Sequence, residues 1–169
     1  MKKPAVTLWL ALLIAAAALF IWRTSRGLPP IVATHFGAAG AANGFMTRQF
    51  YLWFMLAFVV LLPLFFSFVA SAVARMPVAM INIPNRDYWL APERRGLVVD
   101  SLRRQMQIFS AMLVVFLCFV HWEVVRANQS MPPMLDNRRF MLGLGLFMAA
   151  LIGWIVSLRR QFRVPAAQP

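Results

Sequence analysis

Apolar residues fall along this chain in four long blocks, at about 4–22, 50–74, 106–125 and 140–158, and polar residues crowd into the segments between them. A hydrocarbon core about 30 Å thick takes roughly 20 apolar residues in helical form, where every backbone N–H and C=O finds a partner inside its own segment. Each block meets that length, and none carries a charge near its middle. The pattern predicts an all-α integral membrane fold: a four-transmembrane-helix bundle, with 1–169 as a single membrane domain. Segments 23–49 and 126–139 then lie on one side of the bilayer, and 75–105 lies on the other.

The blocks carry further detail. The first has a basic start (Lys2, Lys3) and a small-residue core from Ala15 to Ala18, as a signal peptide does, but it ends in Phe20, Ile21, Trp22 and Arg23 with no small-x-small cleavage site beyond. An uncleaved signal anchor is expected. The second block holds Pro63, which removes one backbone hydrogen bond and predicts a kink, for packing in preference to a gate. Gly145, Ala149 and Gly153 recur at four-residue spacing in the last block, and Ala11 and Ala15 do so in the first. Such spacing predicts close helix packing, within the bundle or between copies in a homo-oligomer.

The polar segments are patterned too. In 23–49, Pro29 and Pro30 hold the chain extended, Ile31 to Phe36 reads as a short strand, and Gly37, Gly40 and Asn43-Gly44 supply turns. A small structured loop is expected there. In 75–105, Ile83 to Asp87 reads as a turn, and Pro92 followed by Glu93 suits the first turn of a helix. Val98, Leu102, Met106 and Phe109 then share a face, and Asp100 sits four residues before Arg104 as a favourable pair. This helix is expected to run into the third span or to lie partly on the membrane surface. Tyr88 and Trp89 suit the interfacial zone. The tail after Arg163, with Pro165 and Pro169, is expected to be disordered.

With 62% hydrophobic residues, 13% charged residues and a mean hydropathy of +0.70, a soluble domain of 169 residues is excluded. The net charge of +12 comes from arginines that flank the apolar blocks. Arginine outnumbers lysine fifteen to two, and alanine is abundant, which suits a GC-rich bacterial genome. Eleven basic residues lie on the side of the termini: Lys2, Lys3, Arg75, Arg86, Arg94, Arg95, Arg103, Arg104, Arg159, Arg160 and Arg163. Six lie opposite: Arg23, Arg26, Arg48, Arg126, Arg138 and Arg139. The excess places both termini in the cytoplasm of a multi-pass protein of the bacterial inner membrane. Arg86, Arg94, Arg95, Arg103 and Arg104 are then candidates to meet lipid headgroups or an acidic protein partner. Nucleic acid is not an expected partner.

Candidate chemistry is sparse. Phosphate-binding, dinucleotide, HExxH and paired-CxxC patterns are absent from the sequence, and the chain has only five acids and two histidines. No organic cofactor is expected. Cys118, alone and inside the third block, is expected to act as a small apolar side chain. Four residues are predicted to share the outer layer: His35, His121, Glu123 and Asp136. Two readings stand for them: a divalent metal site, since imidazole and carboxylate suit zinc, or structural pairing with loop backbone and arginines such as Arg126. Asn128-Gln129-Ser130 matches a glycosylation sequon.

The stretch Leu28-Pro29-Pro30-Ile31-Val32-Ala33-Thr34-His35-Phe36, followed by Gly40 and Gly44, resembles the outer-loop signature of a bacterial membrane domain of unknown function that also occurs in SdpI-type immunity and signalling proteins. Ile81 to Trp89, with Ala91 to Arg95, is similar to the inner loop of its proteobacterial members. The signature covers about residues 8–60, and the wider similarity reaches about 125. The resemblance implies that Leu28, Pro29, His35, Phe36 and Gly40 form the recognition loop of a non-enzymatic protein that senses a ligand or confers immunity. Two alternatives remain: an accessory subunit of a larger membrane complex or transporter, and a metal-dependent membrane enzyme using His35, His121 and Glu123.

Overall fold

The computed structural model describes residues 6–163. It holds helix α1 (Leu8–Ser25), strands β1 (Ile31–Phe36) and β2 (Ala42–Thr47), α2 (Arg48–Ala72), a short α3 (Arg86–Trp89), α4 (Pro92–Ala127) and α5 (Asn137–Gln161). Four of these helices are long and apolar enough to cross a membrane, so the chain is a four-helix membrane bundle with a small β-hairpin at one end. Lys2, Lys3 and Pro4, and the tail expected to be disordered, lie outside the described residues.

The helix starts follow from local chemistry. Pro92 opens α4, where its missing N–H costs no hydrogen bond, and Glu93 occupies the first turn. The Asp136 carboxylate caps α5 by accepting the Arg139 N–H at 3.1 Å. Thr47 caps α2 through Phe50 N–H at 3.3 Å, so the strand passes into the helix without a linker. With 36 residues, α4 is about 54 Å long and extends well past a 30 Å hydrocarbon core. This is the predicted continuation of the inner-loop helix into the third span. Asp100 pairs with Arg103 at 3.3 Å, one residue earlier than the expected partner.

The core is built at helical spacing. Leu10, Ile14, Ala17 and Ile21 of α1 meet Tyr51, Met55 and Val59 of α2 and Val114, Val124 and Val125 of α4. Helix α4 is central: α1 and α2 pack on it and on each other, and α5 packs on α4 alone among the helices. Ring contacts join α4 to α5, with Phe116 stacked on Phe147 at 4.2 Å and Phe109 tilted against Trp154 at 5.2 Å between centroids. Pro63 is buried in α2, and Ser110 of α4 donates to its carbonyl at 3.3 Å, which pins the two helices together.

The small-residue stripe does not pack as expected within the bundle. Gly145, Ala149 and Gly153 lie on the outward face of α5, and a side chain at either glycine would meet nothing. The close approach is at Gly143, where a Cβ would overlap the Phe119 ring. Four-residue spacing names a face of a helix but does not say which face its neighbour takes.

At the end away from the hairpin, Ile81, Leu90, Val98 and Phe162 form a second small core. Asn85 Nδ2 and Trp89 Nε1 both donate to the Phe162 carbonyl, at 2.8 and 2.9 Å, and so satisfy the C-terminus of α5. Asn85 is left-handed at φ 54°, consistent with the predicted turn.

Candidate functional site

The hairpin was half legible. Ile31–Phe36 is a strand as expected, but Ala42–Thr47 is a second one, and the expected Asn43-Gly44 turn lies inside it. The reversal is at Gly37 to Gly40 instead: Gly40 N–H donates to Gly37 O, and Gly37 N–H to Ala41 O, both at 2.9 Å. Gly44 is needed because His35 sits opposite, where a Cβ would lie 2.8 Å from the His35 Cβ. The pairing shifts register on either side of His35.

Asn128, Met134, Leu135 and Asn137 fix the hairpin to the rest of the bundle. Ala33 is fully buried, and both of its backbone groups go to one side chain. Asn128 Oδ1 accepts the Ala33 N–H at 2.9 Å, and Asn128 Nδ2 donates to the Ala33 carbonyl at 2.9 Å and to the Val124 carbonyl at 2.8 Å. The amide thus stands in for one residue of a third strand and covers the free edge of β1. The sequon nitrogen is therefore spent on structure. At the hairpin tip, Leu135 N–H donates to Gly40 O at 2.9 Å, and Ala41 bridges to Met134. Asn137 Nδ2 donates to Ala38 O at 2.5 Å. Gly40 has φ +83°, a conformation that favours glycine, and a Cβ there would meet Leu135 O at 2.5 Å.

His121 is buried beneath this cap, with no exposed surface. Its Nε2 is 2.6 Å from Thr24 Oγ1, and its Nδ1 is 2.8 Å from the Tyr51 hydroxyl. Thr24 gives its one proton to the Phe20 carbonyl at 2.7 Å, so its oxygen accepts from Nε2–H. Nδ1 then accepts from Tyr51. The ring is therefore the Nε2–H tautomer, and both of its nitrogens are satisfied. Tyr51 stacks on it and Phe20 meets it edge-on, each at 5.7 Å. One imidazole joins α1, α2 and α4.

Glu123, 1% exposed, receives both hydrogen bonds from one nitrogen of Arg139 in α5, at 2.8 and 3.0 Å. Arg139 also approaches Asp136 at 3.7 Å. The four residues expected in one layer are thus near the same end without converging: His35 is exposed on the hairpin, His121 is held by hydroxyls, Glu123 is held by Arg139, and Asp136 caps a helix. Among the described residues no three metal-binding side chains cluster. Glu123 is paired with Arg139 and not with Arg126, and His121 meets hydroxyls and not loop backbone.

Residues 10–61 match the family model described as a domain of unknown function, DUF1648. The matched stretch holds most of α1, the whole hairpin and the first half of α2, close to the 8–60 expected from the loop signature. It includes Thr24 and Tyr51; His121, Asn128 and Arg139 lie beyond it. No curated protein and no solved structure matches the chain.

Of the other residues expected to form a recognition loop, Leu28 is buried in the main core and Phe36 packs against it, so these two support the hairpin from below. Pro29 precedes the strand and is exposed. Among the arginines, Arg94 donates to Tyr88 O at 2.8 Å and lies 4.0 Å over the Tyr88 ring, and Arg95 donates to Met76 O at 2.5 Å. These two hold the inner segment in place. Arg86 lies 3.5 Å from Asp87 and is exposed, as is Arg104.

Sequence reasoning missed Thr24, Tyr51, Asn128 and Arg139 as site residues. Tyr51 carried a usable signal, because a phenol at the mouth of an apolar block needs a partner.

Proposed function

We propose that this is a non-enzymatic membrane protein of the bacterial inner membrane whose hairpin is the recognition element for a ligand or toxin on the extracytoplasmic side. The observation that carries the reading is the combination of a rigid mount and an open apolar face. The hairpin is clamped by Asn128, Leu135 and Asn137, yet Ile31 and Phe45 remain 57% and 56% exposed beside His35. Met131 in the loop before α5 is 93% exposed. An ordered surface with apolar groups that the rest of the chain leaves uncovered suits a docking site. The buried link from Asn128 and His121 into α1, α2 and α4 gives occupancy a route into the bundle. The exposed Arg86 and Arg104 at the opposite end suit headgroups or an acidic partner. The excess of basic residues on the side of the termini supports cytoplasmic termini.

The test is made in whole cells. A Phe45→Cys variant in a Cys118→Ser background is expected to react with a membrane-impermeant maleimide. A photo-crosslinking residue at position 45 is expected to capture a discrete species that the same residue at Leu61, on the lipid-facing surface, does not. Protection of the introduced thiol in intact cells, or identical capture from both positions, would remove the reading.

One observation favours the accessory-subunit alternative. None of the residues of α5 is buried, and its Gly145, Ala149 and Gly153 stripe faces outward. A second helix, from another membrane protein or a second copy, fits such a face. Purification in mild detergent with a stoichiometric partner would support it over sensing.

A further inference from the structure

At the end of the bundle away from the hairpin, a cavity of about 710 Å³ opens between the start of α1, the first half of α4 and the end of α5. Its polar lining includes Ser101, Arg103, Arg104, Gln107 and Gln161. Arg103 is the informative member. Its side chain is only 15% exposed, and one guanidinium nitrogen, Nη1, reaches Asp100 at 3.3 Å. Its Nε is buried without a hydrogen-bond partner. A guanidinium has five N–H donors, and a buried one left unmatched is costly. Among the described residues, two cations against the one carboxylate of Asp100 make this cavity positive.

A second cavity, of about 590 Å³, runs along the same side of α4 and shares Trp9 with the first. It is almost wholly apolar. Ile108, Met112, Val115 and Phe119 line it at helical spacing, with Gly143 and Phe147 of α5 opposite. From Ile108 to Phe119 the groove is about 16 Å long, which is close to one leaflet, half of a 30 Å hydrocarbon core. It exists because α1 and α5 both pack on α4 and not on each other, so it opens sideways to the bilayer.

We propose that these two cavities form one binding site for a single anionic phospholipid: the phosphate at Arg103 and Arg104, an acyl chain along the α4–α5 groove. The charge of the head cavity, the apolar groove that shares Trp9 with it, and a groove length of one leaflet all describe the same amphiphile. Free phosphate accounts for the arginines and leaves the groove unused. A zwitterionic lipid fits the groove and brings a cation to a site that is already positive.

Native mass spectrometry of the full chain, released from nanodiscs of equal phosphatidylglycerol and phosphatidylcholine, tests this. One phosphatidylglycerol per chain is the expected retained species. R103Q and R104Q are each expected to lower its occupancy about tenfold or more, the equivalent of one charged hydrogen bond. A111F, which fills the groove, is expected to lower it while leaving both arginines in place. Arg104 is exposed, so R104Q remains readable if R103Q does not fold. Equal retention of the two lipids, unchanged occupancy in R104Q, or displacement by millimolar inorganic phosphate would overturn the proposal.

Discussion

Asn128 offers the sharpest test of how the hairpin is held. Its side chain makes three hydrogen bonds of 2.8 to 2.9 Å, two of them to the backbone of buried Ala33. Asn128→Ala leaves the Ala33 N–H and C=O without partners. Each such group costs about 1–3 kcal/mol, so the loss is about 2–6 kcal/mol in sum, toward the lower end because water reaches the rim of the hairpin. Asn128→Asp is the more telling change. One carboxylate oxygen still accepts the Ala33 N–H, but the other replaces a donor and faces two carbonyl oxygens, those of Ala33 and Val124 at 2.9 and 2.8 Å. Like partial charges at that range repel, and the charge is partly buried. The expected order of stability is wild type, then Asn128→Ala, then Asn128→Asp. Thermal unfolding in mild detergent, followed by monodisperse recovery on size exclusion, measures the order. Hydrogen exchange at the Ala33 amide reports the site itself, with protection lost in the Ala variant and retained longer in the Asp variant. An Asp variant as stable as wild type would show that the amide's donors do not hold the strand.

Other outcomes follow from the same geometry. Gly40→Ala forces a Cβ to 2.5 Å from Leu135 O at φ +83°, and is expected to destabilise by about 1–3 kcal/mol and release the hairpin tip to proteolysis. Arg139→Ala strands Glu123 as an unpaired buried carboxylate and is expected to cost about 3–5 kcal/mol. Glu123→Ala leaves a half-exposed arginine and is expected to cost less, so the two melting points should differ in that direction. His121→Ala removes a ring that satisfies Tyr51 and is expected to cost about 3 kcal/mol, more than Tyr51→Phe, which deletes a single hydroxyl. Equal effects of those two variants would place the stabilisation in the Tyr51 hydrogen bond alone.

The spans were legible because the bilayer imposes length and polarity on every helix, and the start of α4 was legible because Pro92 and Glu93 suit only a helix N-terminus. β2 was hidden because its first residues, Ala42-Asn43-Gly44, read as a turn. Only the approach of the His35 side chain across the pair explains why Gly44 is in a strand. His121 and Glu123 stood out as ionisable groups near an apolar block, but their partners did not. Thr24 lies 97 residues away and Tyr51 70 residues away, and no local pattern relates them. Arg126 and Arg139 flank the same loop, and which of them reaches Glu123 depends on how α5 is rotated against α4. That rotation also turns Gly145, Ala149 and Gly153 outward and leaves Gly143 facing Phe119.

The uninterrupted run of α4 has a mechanical consequence. It carries Asn128 and His121 at one extremity and meets the Asn85–Phe162 lock at the other, with no proline between Pro92 and Ala127 to absorb bending. One unbroken helix about 54 Å long therefore ties the clamp on the hairpin to the Arg94–Tyr88 corner at the other extremity.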